Sequence, residues 1–275
     1  MANCQKLVVN GGRRLEGELR VQGAKNSALP LLAACVLAHG ECVLHNCPEL
    51  TDVDAACRIL SCLGCRCTRS GDTVCVDASN VCGNEIPDNL MREMRSSIVF
   101  LGAVLGRTRR CKLTFPGGCE LGARPIDLHL AALRDMGVTI SEEHGWLECT
   151  AAGGIRGGSV TLSFPSVGAT ENIMLAAVTA SGRTEIHNAA REPEIIDLAE
   201  FLVKCGAKIT GAGGSTICVE GVSRLSPAEH TVIPDRIVAG TYLCAAAMTR
   251  GELILTRCEP SHMTGFLPVL ESMGC

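Results

Sequence analysis

The stretch ENIMLAAVTASGRTEIHNAAREPEIIDLAEFLVKCGAKITGAGGSTICVEG, residues 171–221, contains one complete structural plan. An apolar, helix-like run ends at a glycine turn, and a short strand-like run follows. After a turn holding Pro193 comes a second helix, with Ile195, Leu198, Ala199 and Leu202 at helical spacing. Gly206 follows its last apolar positions, a natural C-terminal stop. The same plan recurs in residues 31–78 and 94–151, and begins again in 240–275.

Two markers confirm the repeat. The stop glycines Gly64, Gly137, Gly206 and Gly274 are spaced by 73, 69 and 68 residues, and the turn prolines Pro48, Pro125, Pro193 and Pro260 by 77, 68 and 67. Each unit is helix–strand–helix–strand, so the chain is α/β and its repeats bury their faces on one another. Thr51 and Asp52 offer capping oxygens to the second helix of the first copy. The fourth copy stops at ESMGC, before its closing strands. The expectation is therefore that Cys275 is not the end of the gene product.

Composition narrows the function. Of 275 residues, 47% are apolar, enough for a core, but only 3% are aromatic, too few for a base-stacking platform. A net charge of -4 gives no basic field for nucleic acid, so any anion site must be local. The N-terminus has no signal-peptide pattern. The longest apolar run, Ala28 to Ala38, is far short of the roughly 20 residues that span a bilayer. The chain reads as soluble and cytosolic. Its 18 cysteines fit no short secreted disulfide scaffold. Cys35, Cys57, Cys205 and Cys244 sit where a small apolar side chain would serve. Cys62, Cys65 and Cys67 in CLGCRC look like half a metal site. A zinc site usually takes two such pairs, and no second C-x-x-C occurs, so no metal or other cofactor is expected.

Four stretches can bear chemistry. In QGAKNSALP, Lys25 and Asn26 precede an apolar helix, where free N–H groups and the dipole attract anions. The P-loop spacing is absent, and a solvated lysine is the simpler reading of these residues alone. In MREMRSSI, Arg92 and Arg95 share one side of a helix start, as a solvent-facing pair also would. In FPGGCELGARP, Gly117 and Gly118 let backbone approach a ligand, Cys119 offers an exposed thiol, and Arg124 can grip a phosphate or carboxylate. A cation there would lower the thiol pKa, and Asp127 and His129 follow closely. In PSVGATENIML, Ser166, Gly168 and Thr170 precede another helix, with plain capping by Thr170 as the alternative. EPEIIDLAE and VIPDRIVAGTYL read as structural turns, although Arg236 could reach a ligand.

Together, GAKNSALPLLAA, MREMRSSI, PGGCELGARPIDLHL, SVGATENIMLAA, AAREPEIIDLAEFL and VIPDRIVAGTYLCAAA resemble the UDP-N-acetylglucosamine 1-carboxyvinyltransferases, enolpyruvyl transferases of peptidoglycan synthesis within the EPSP synthase superfamily. The resemblance covers essentially the whole chain, and the cysteine loop followed by GARP-DLH is its specific part. It implies two inside-out α/β barrels of three repeats each. Residues 22–232 would form one complete domain, and 1–21 with 233–275 part of the other. It implies transfer of the enolpyruvyl group of phosphoenolpyruvate to the 3′-hydroxyl of UDP-N-acetylglucosamine, releasing phosphate. By the same resemblance Cys119 is the loop thiol, the proton donor and the target of fosfomycin. Lys25, Asn26 and Arg124 would contact phosphoenolpyruvate. Arg95, Arg124, Pro125, Ile126, Asp127, Leu128, His129, Ser166, Val167 and Gly168 would contact the nucleotide sugar. Phe164 departs from the pattern, which often has a basic residue there. The family's acidic residue near the sugar hydroxyl and its further arginines fall in repeats beyond this sequence, so weak binding and poor turnover are expected. The alternatives are the shikimate-pathway transferase, a non-catalytic binding or regulatory module of the same fold, and a metal-binding protein resting on CLGCRC alone.

Overall fold

Glycine settles the boundaries of the repeats. Gly64, Gly137, Gly206 and Gly274 have φ of +95°, +85°, +100° and +85°. Each stands just past a second helix, in the left-handed conformation that a side chain resists. The computed structural model describes residues 8–116 and 126–275. They divide into two compact units, Gly23–Ile233 and the chain up to Gln22 with Pro234–Cys275.

Strand β1 (Glu16–Arg20) belongs to the smaller unit. The first copy in the larger unit is α1 (Lys25–Cys35), β2 (Glu41–His45), α2 (Thr51–Cys62), β3 (Arg66–Ser70) and β4 (Thr73–Asp77). The second has α3 (Asp88–Glu93), a 3-10 turn at Ser97–Val99, α4 (Phe100–Thr108), β5 (Arg110–Thr114), α5 (Asp127–Asp135), β6 (Thr139–Glu143) and β7 (Trp146–Thr150). After β8 (Ser159–Thr161) the third runs α6 (Val167–Ala177), β9 (Arg183–His187), α7 (Pro193–Lys204), β10 (Lys208–Thr210) and β11 (Thr216–Glu220). Then come β12 (Glu229–Thr231), α8 (Arg236–Thr249), β13 (Glu252–Thr256) and α9 (Leu267–Ser272).

Every copy builds its own sheet; the first and third borrow a parallel strand from a linking segment, and the second a single parallel bridge. The orders are β12-β2-β4-β3, β5-β7-β6 and β8-β9-β11-β10. Linker strand β8 pairs with β9, and linker residue Glu85 bridges Lys112 of β5. Strand β12, after the third copy, returns to pair with β2 of the first. The larger unit thereby closes on itself, and Ala24 N–H donates to Ile233 C=O at 2.8 Å where the chain enters and leaves. Asn46 and Asn188 hold equivalent places after β2 and β9, both with positive φ. Their amides donate to the linker carbonyls of Val232 and Leu162.

The first helices of the copies fill the centre. Ser27–Cys35, Phe100–Gly106 and Ala169–Ala177 are buried throughout, as helices apolar on all sides must be. Gly102 permits their close approach, because a Cβ there would sit 2.2 Å from the carbonyl oxygen of Asn172. One turn on, Gly106 meets Leu175, Thr179 and Leu37. The contacts of α4 and α6 rise together in sequence, so these helices run parallel, and the C-terminal ends of α1 and α4 meet. The barrel is thus one of layers, with central helices and sheets around them. Among the described residues no strand ladder joins the three sheets.

Two local expectations are corrected. Helix α2 starts at Thr51 with Leu50 as its N-cap and no side-chain cap, and Asp52 pairs with Lys25 instead. The EPEIIDLAE and VIPDRIVAGTYL stretches run directly into α7 and α8 rather than ending as turns.

In the smaller unit β1 pairs in parallel with β13, and Val21, Ala239 and Met263 form a small core. Asp235 caps α8, accepting from Ile237 N–H at 2.9 Å and Val238 N–H at 3.0 Å. Among the described residues no helix is long and apolar enough to cross a membrane, and no group of three or more His, Cys, Asp or Glu could hold a metal ion.

Candidate active site

Because α4 and α6 run parallel, their N-terminal ends lie at one end of the larger unit, and α1 packs against α4 and the 3-10 turn that precedes it. Each of the three helix starts carries unsatisfied N–H groups and the positive end of a dipole. Lys25 and Asn26 open α1, Arg95 lies in the turn ahead of the 3-10 segment and α4, and Ser166, Val167 and Gly168 open α6.

At α1, Lys25 Nζ lies 3.0 Å from Asp52 Oδ2, and both side chains are partly exposed. Such a partly exposed pair contributes little to stability, of order 0–1 kcal/mol. Asn26 is exposed. Ser27 is wholly buried and its hydroxyl donates to Asp197 Oδ2 on α7. Asp197 Oδ1 accepts from His230 Nε2 at 2.7 Å, and Lys204 Nζ donates to His230 Nδ1 at 2.9 Å. This network fixes the first turn of α1, and hence where Lys25 starts.

Arg92 and Arg95 are not a matched pair. Arg92 sits in the last turn of the short α3 and binds Asp88 at 2.8 Å, which holds that carboxyl below its ordinary value. Arg95, past the helix end, is exposed and makes no hydrogen bond or ion pair among the described residues.

The α5 and α6 starts are joined through Asn172. This fully buried amide accepts from Gly102 N–H at 2.6 Å, donates to Ile98 C=O at 3.0 Å and meets His129 Nδ1 at 2.8 Å. Ile126 is buried, Asp127 exposed and Leu128 half-buried. His129 lies against Gly168, where a Cβ would stand 3.1 Å from the ring Cε1. Ser166, not Thr170, is the N-cap of α6, its hydroxyl accepting from Ala169 N–H at 3.3 Å. Thr170 turns back to Ser166 C=O and accepts from Ala190 N–H. Phe164 is 65% exposed.

The structure thus places Lys25 and Asn26 at the start of α1, Arg95 ahead of α4, and Ile126, Asp127, Leu128 and His129 at the start of α5, where His129 lies against Gly168 of the Ser166, Val167 and Gly168 start of α6. Cys119, Arg124 and Pro125 lie outside the described residues. Arg236 lines a separate groove of about 520 Å³ in the smaller unit, with Thr241, Cys244, His262 and Phe266. Sequence reasoning missed Ser27, Asp197, His230 and Asn172. Their one signal was a polar residue inside an otherwise apolar helix or strand, and burial makes such a residue find partners.

Comparison with known proteins adds a separate line. The family model for EPSP synthase (3-phosphoshikimate 1-carboxyvinyltransferase) matches residues 9–275. UDP-N-acetylglucosamine 1-carboxyvinyltransferase 2 of Caldanaerobacter subterraneus subsp. tengcongensis is 54% identical over 98% of this chain and 64% of its own length. UDP-N-acetylglucosamine 1-carboxyvinyltransferase 1 of Symbiobacterium thermophilum is 48% identical over 98% of this chain and 62% of its own. The chain therefore spans a little under two thirds of these relatives. Among solved structures, the enolpyruvyl transferase NikO from Streptomyces tendae superposes with a TM-score of 0.76 at 26% identity, over 86% of this chain and 56% of its own. An EPSP synthase from Acinetobacter baumannii gives 0.73 at 22% identity, over 96% and 60%, a likeness of fold alone.

Proposed function

The chain belongs to the EPSP synthase family, and from that premise we propose that it serves enolpyruvyl transfer from phosphoenolpyruvate to the 3′-hydroxyl of UDP-N-acetylglucosamine, in the cytosol, for peptidoglycan synthesis. The observation that carries the choice of acceptor is the contrast in identity. Carboxyvinyltransferases named for UDP-N-acetylglucosamine are 48–54% identical to this chain, whereas an EPSP synthase structure is 22% identical.

In this reading the anionic donor binds at the start of α1. Lys25 and Asn26 supply a charge and an amide there, with Arg124 as a bidentate clamp. The nucleotide sugar binds along Arg124 to His129, with Arg95 and the α6 start, Ser166 to Gly168. Its phosphates would lie by positive helix ends and an exposed arginine. Cys119 protonates C3 of the enol as the sugar hydroxyl adds at C2. The sugar hydroxyl gives up its proton as it adds, and the tetrahedral adduct then loses a proton from C3 as it expels phosphate, so the C=C bond re-forms as an enol ether with the carbon skeleton of the donor. Negative charge is held on carboxylate and phosphate throughout, so cations fixed beforehand lower the barrier, and the bound pair reacts without the cost of encounter.

Fosfomycin tests this reading on the chain as it stands. Incubation with UDP-N-acetylglucosamine present, followed by peptide mass mapping, should place the adduct on Cys119 alone of 18 cysteines. Adducts that follow exposure, at Cys82 and Cys244, would overturn the thiol's role. Saturable UDP-N-acetylglucosamine binding with no phosphate release would favour a binding module of the same fold.

A further inference from the structure

We propose that Cys57 and Cys67 are a redox pair, which a peroxide converts into a reversible disulfide that ties α2 to β3. Neither thiol takes part in the function proposed above. Cys67 belongs to the CLGCRC stretch, whose cysteines part company in the fold. Cys62 is exposed at the end of α2, Cys65 is buried, and Cys67 turns to Cys57.

Helix and strand meet in a defined register. On α2, Asp54, Cys57 and Ser61 are three and four residues apart and share one face. On β3, Cys67 and Arg69 are two apart and share one face. Arg69 Nη1 lies 3.4 Å from Asp54 Oδ1, the Cys57 and Cys67 thiols are within hydrogen-bonding reach, and the Ser61 hydroxyl reaches Cys67. Arg69 also donates to the carbonyls of Cys47 at 3.2 Å and Pro48 at 2.9 Å, which pins the strand to the turn ahead of the helix.

The repeat shows what is particular to this copy. The step from Gly64 to Gly137 and Gly206 carries Cys57 to Leu130 and Ala199, and Cys67 to Ile140 and Ile209. Each copy thus places an apolar pair here, and cysteine serves that packing too. Leu130 and Ala199 are buried, however, whereas Cys57 and Cys67 are half-buried and within reach of a small solute. Cys42 also touches Cys35 and Cys205, but these three are 0%, 0% and 2% exposed.

The two sulfurs are chemically unequal. The hydrogen bond from Cys67, with Arg69 and Arg58 nearby, outweighs burial and Asp54 and holds Cys57 below its ordinary value. Cys57 is therefore the attacking sulfur. It gives up its proton and attacks one oxygen of the peroxide. The O–O bond breaks, the other oxygen leaves as water with that proton, and Cys57 becomes a sulfenic acid. The Cys67 sulfur then displaces the hydroxyl, which leaves as water with the Cys67 proton as the S–S bond forms. Two thiols and one hydrogen peroxide give one disulfide and two waters.

The test is peptide mapping of the reduced, folded chain after one equivalent of hydrogen peroxide, with the remaining thiols alkylated. Trypsin cuts after Arg58 and Arg66, so Cys57 and Cys67 fall in different peptides. The expected product is a cross-link between them, lighter by two hydrogens, formed before any among Cys35, Cys42 and Cys205 and reversed by dithiothreitol. Cys67→Ser should abolish it and leave a sulfenic acid on Cys57 that dimedone traps. Cys57→Ser should abolish it and leave Cys67 without dimedone. Free thiols at both positions, over-oxidation of Cys57 without a cross-link, or a cross-link that appears only on denaturation would overturn the proposal, and none of these needs a variant to fold. Dimedone on Cys67 in C57S to the extent seen on Cys57 in C67S would overturn the assignment of the attacking sulfur.

Discussion

Replacing Asp197 by alanine should cost the larger unit about 3–5 kcal/mol, the size expected for removing a buried carboxylate that accepts hydrogen bonds from two buried donors. Asp197 and His230 are 2% and 4% exposed, and Ser27 is wholly buried. Removing the carboxylate strands the Ser27 hydroxyl and His230 Nε2–H. Each stranded donor costs about 1–3 kcal/mol, so two of them account for the range without any cavity contribution. The three residues lie on α7, β12 and α1, so the lost contacts are those that tie the third copy to the first. At about 2–4 °C per kcal/mol for a unit of this size, Tm should fall by roughly 6–20 °C. Thermal unfolding followed by circular dichroism, with urea titration for the free energy, reads this directly. Ser27→Ala leaves the Asp197–His230 contact intact and should cost only about 1 kcal/mol. In the double variant Ser27 no longer has a hydroxyl to strand, so the loss should be less than the sum of the singles. A loss below about 1 kcal/mol for Asp197→Ala, or strict additivity, would refute the view that this network closes the ring of repeats.

The marker glycines give a graded pair of tests. Gly206 has φ +100° with open space around it, so Gly206→Ala should cost only the left-handed penalty of about 1–2 kcal/mol. Gly64 has φ +95° and would also place a Cβ 2.9 Å from Asn80 C=O, so Gly64→Ala should cost more in the same denaturation assay. The buried thiols predict an alkaline limit to stability. Burial pushes Cys47 up to about 12, and Cys65 and Cys149 up to about 11, from an ordinary value near 9. Above pH 9 the unfolded chain releases protons that the folded chain keeps, so stability is intact below pH 9 and falls toward pH 11–12. The slope is about 1.4 kcal/mol per pH unit for each thiol. Urea midpoints from pH 8 to 10.5 should drop less steeply in a C47A/C65A/C149A variant, and equal slopes would contradict the assignment.

How far the fold could be read in advance follows from which forces are local. A glycine past a helix must be left-handed whatever surrounds it, and Gly64, Gly137, Gly206 and Gly274 bear the same conformation. The helical spacing of Ile195, Leu198 and Leu202 likewise marks a face that is buried. The paired dipeptides His45-Asn46 and His187-Asn188 also held information. Each asparagine turns the chain after a strand and binds the linker strand beside it, yet only the sheet shows why the pair repeats. The proposed site could be sketched in advance where it lies at helix starts and not where its supports lie inside helices. Lys25, Arg95 and Ser166 stand at chain positions where an anion is welcome for local reasons. Asn172 and Asp197 have partners 43 and 33 residues away in sequence, and nothing nearby announces them. The cap of α2 failed for a related reason, because Asp52 pairs with Lys25, 27 residues distant, instead of its own helix end.

The repeat also explains why a site can form at this end of the larger unit. A helix buried on every side has no face to spare for polar chemistry, so its exposed polarity is confined to its ends. Central helices that run parallel then place several positive ends together, and like ends repel unless countercharge or solvent relieves them. Asp52 supplies a carboxylate at α1, and Ser166 satisfies one N–H at α6. Among the described residues Arg95 adds positive charge without a partner. On the function proposed, the balance left over would favour a doubly anionic ligand even though the whole chain carries a net charge of -4. The anion affinity proposed here would therefore come from the arrangement of the helices, not from composition. Reversing the charge of distant surface residues should leave it nearly unchanged, because exposed charges beyond a Debye length of about 8 Å are screened at physiological salt.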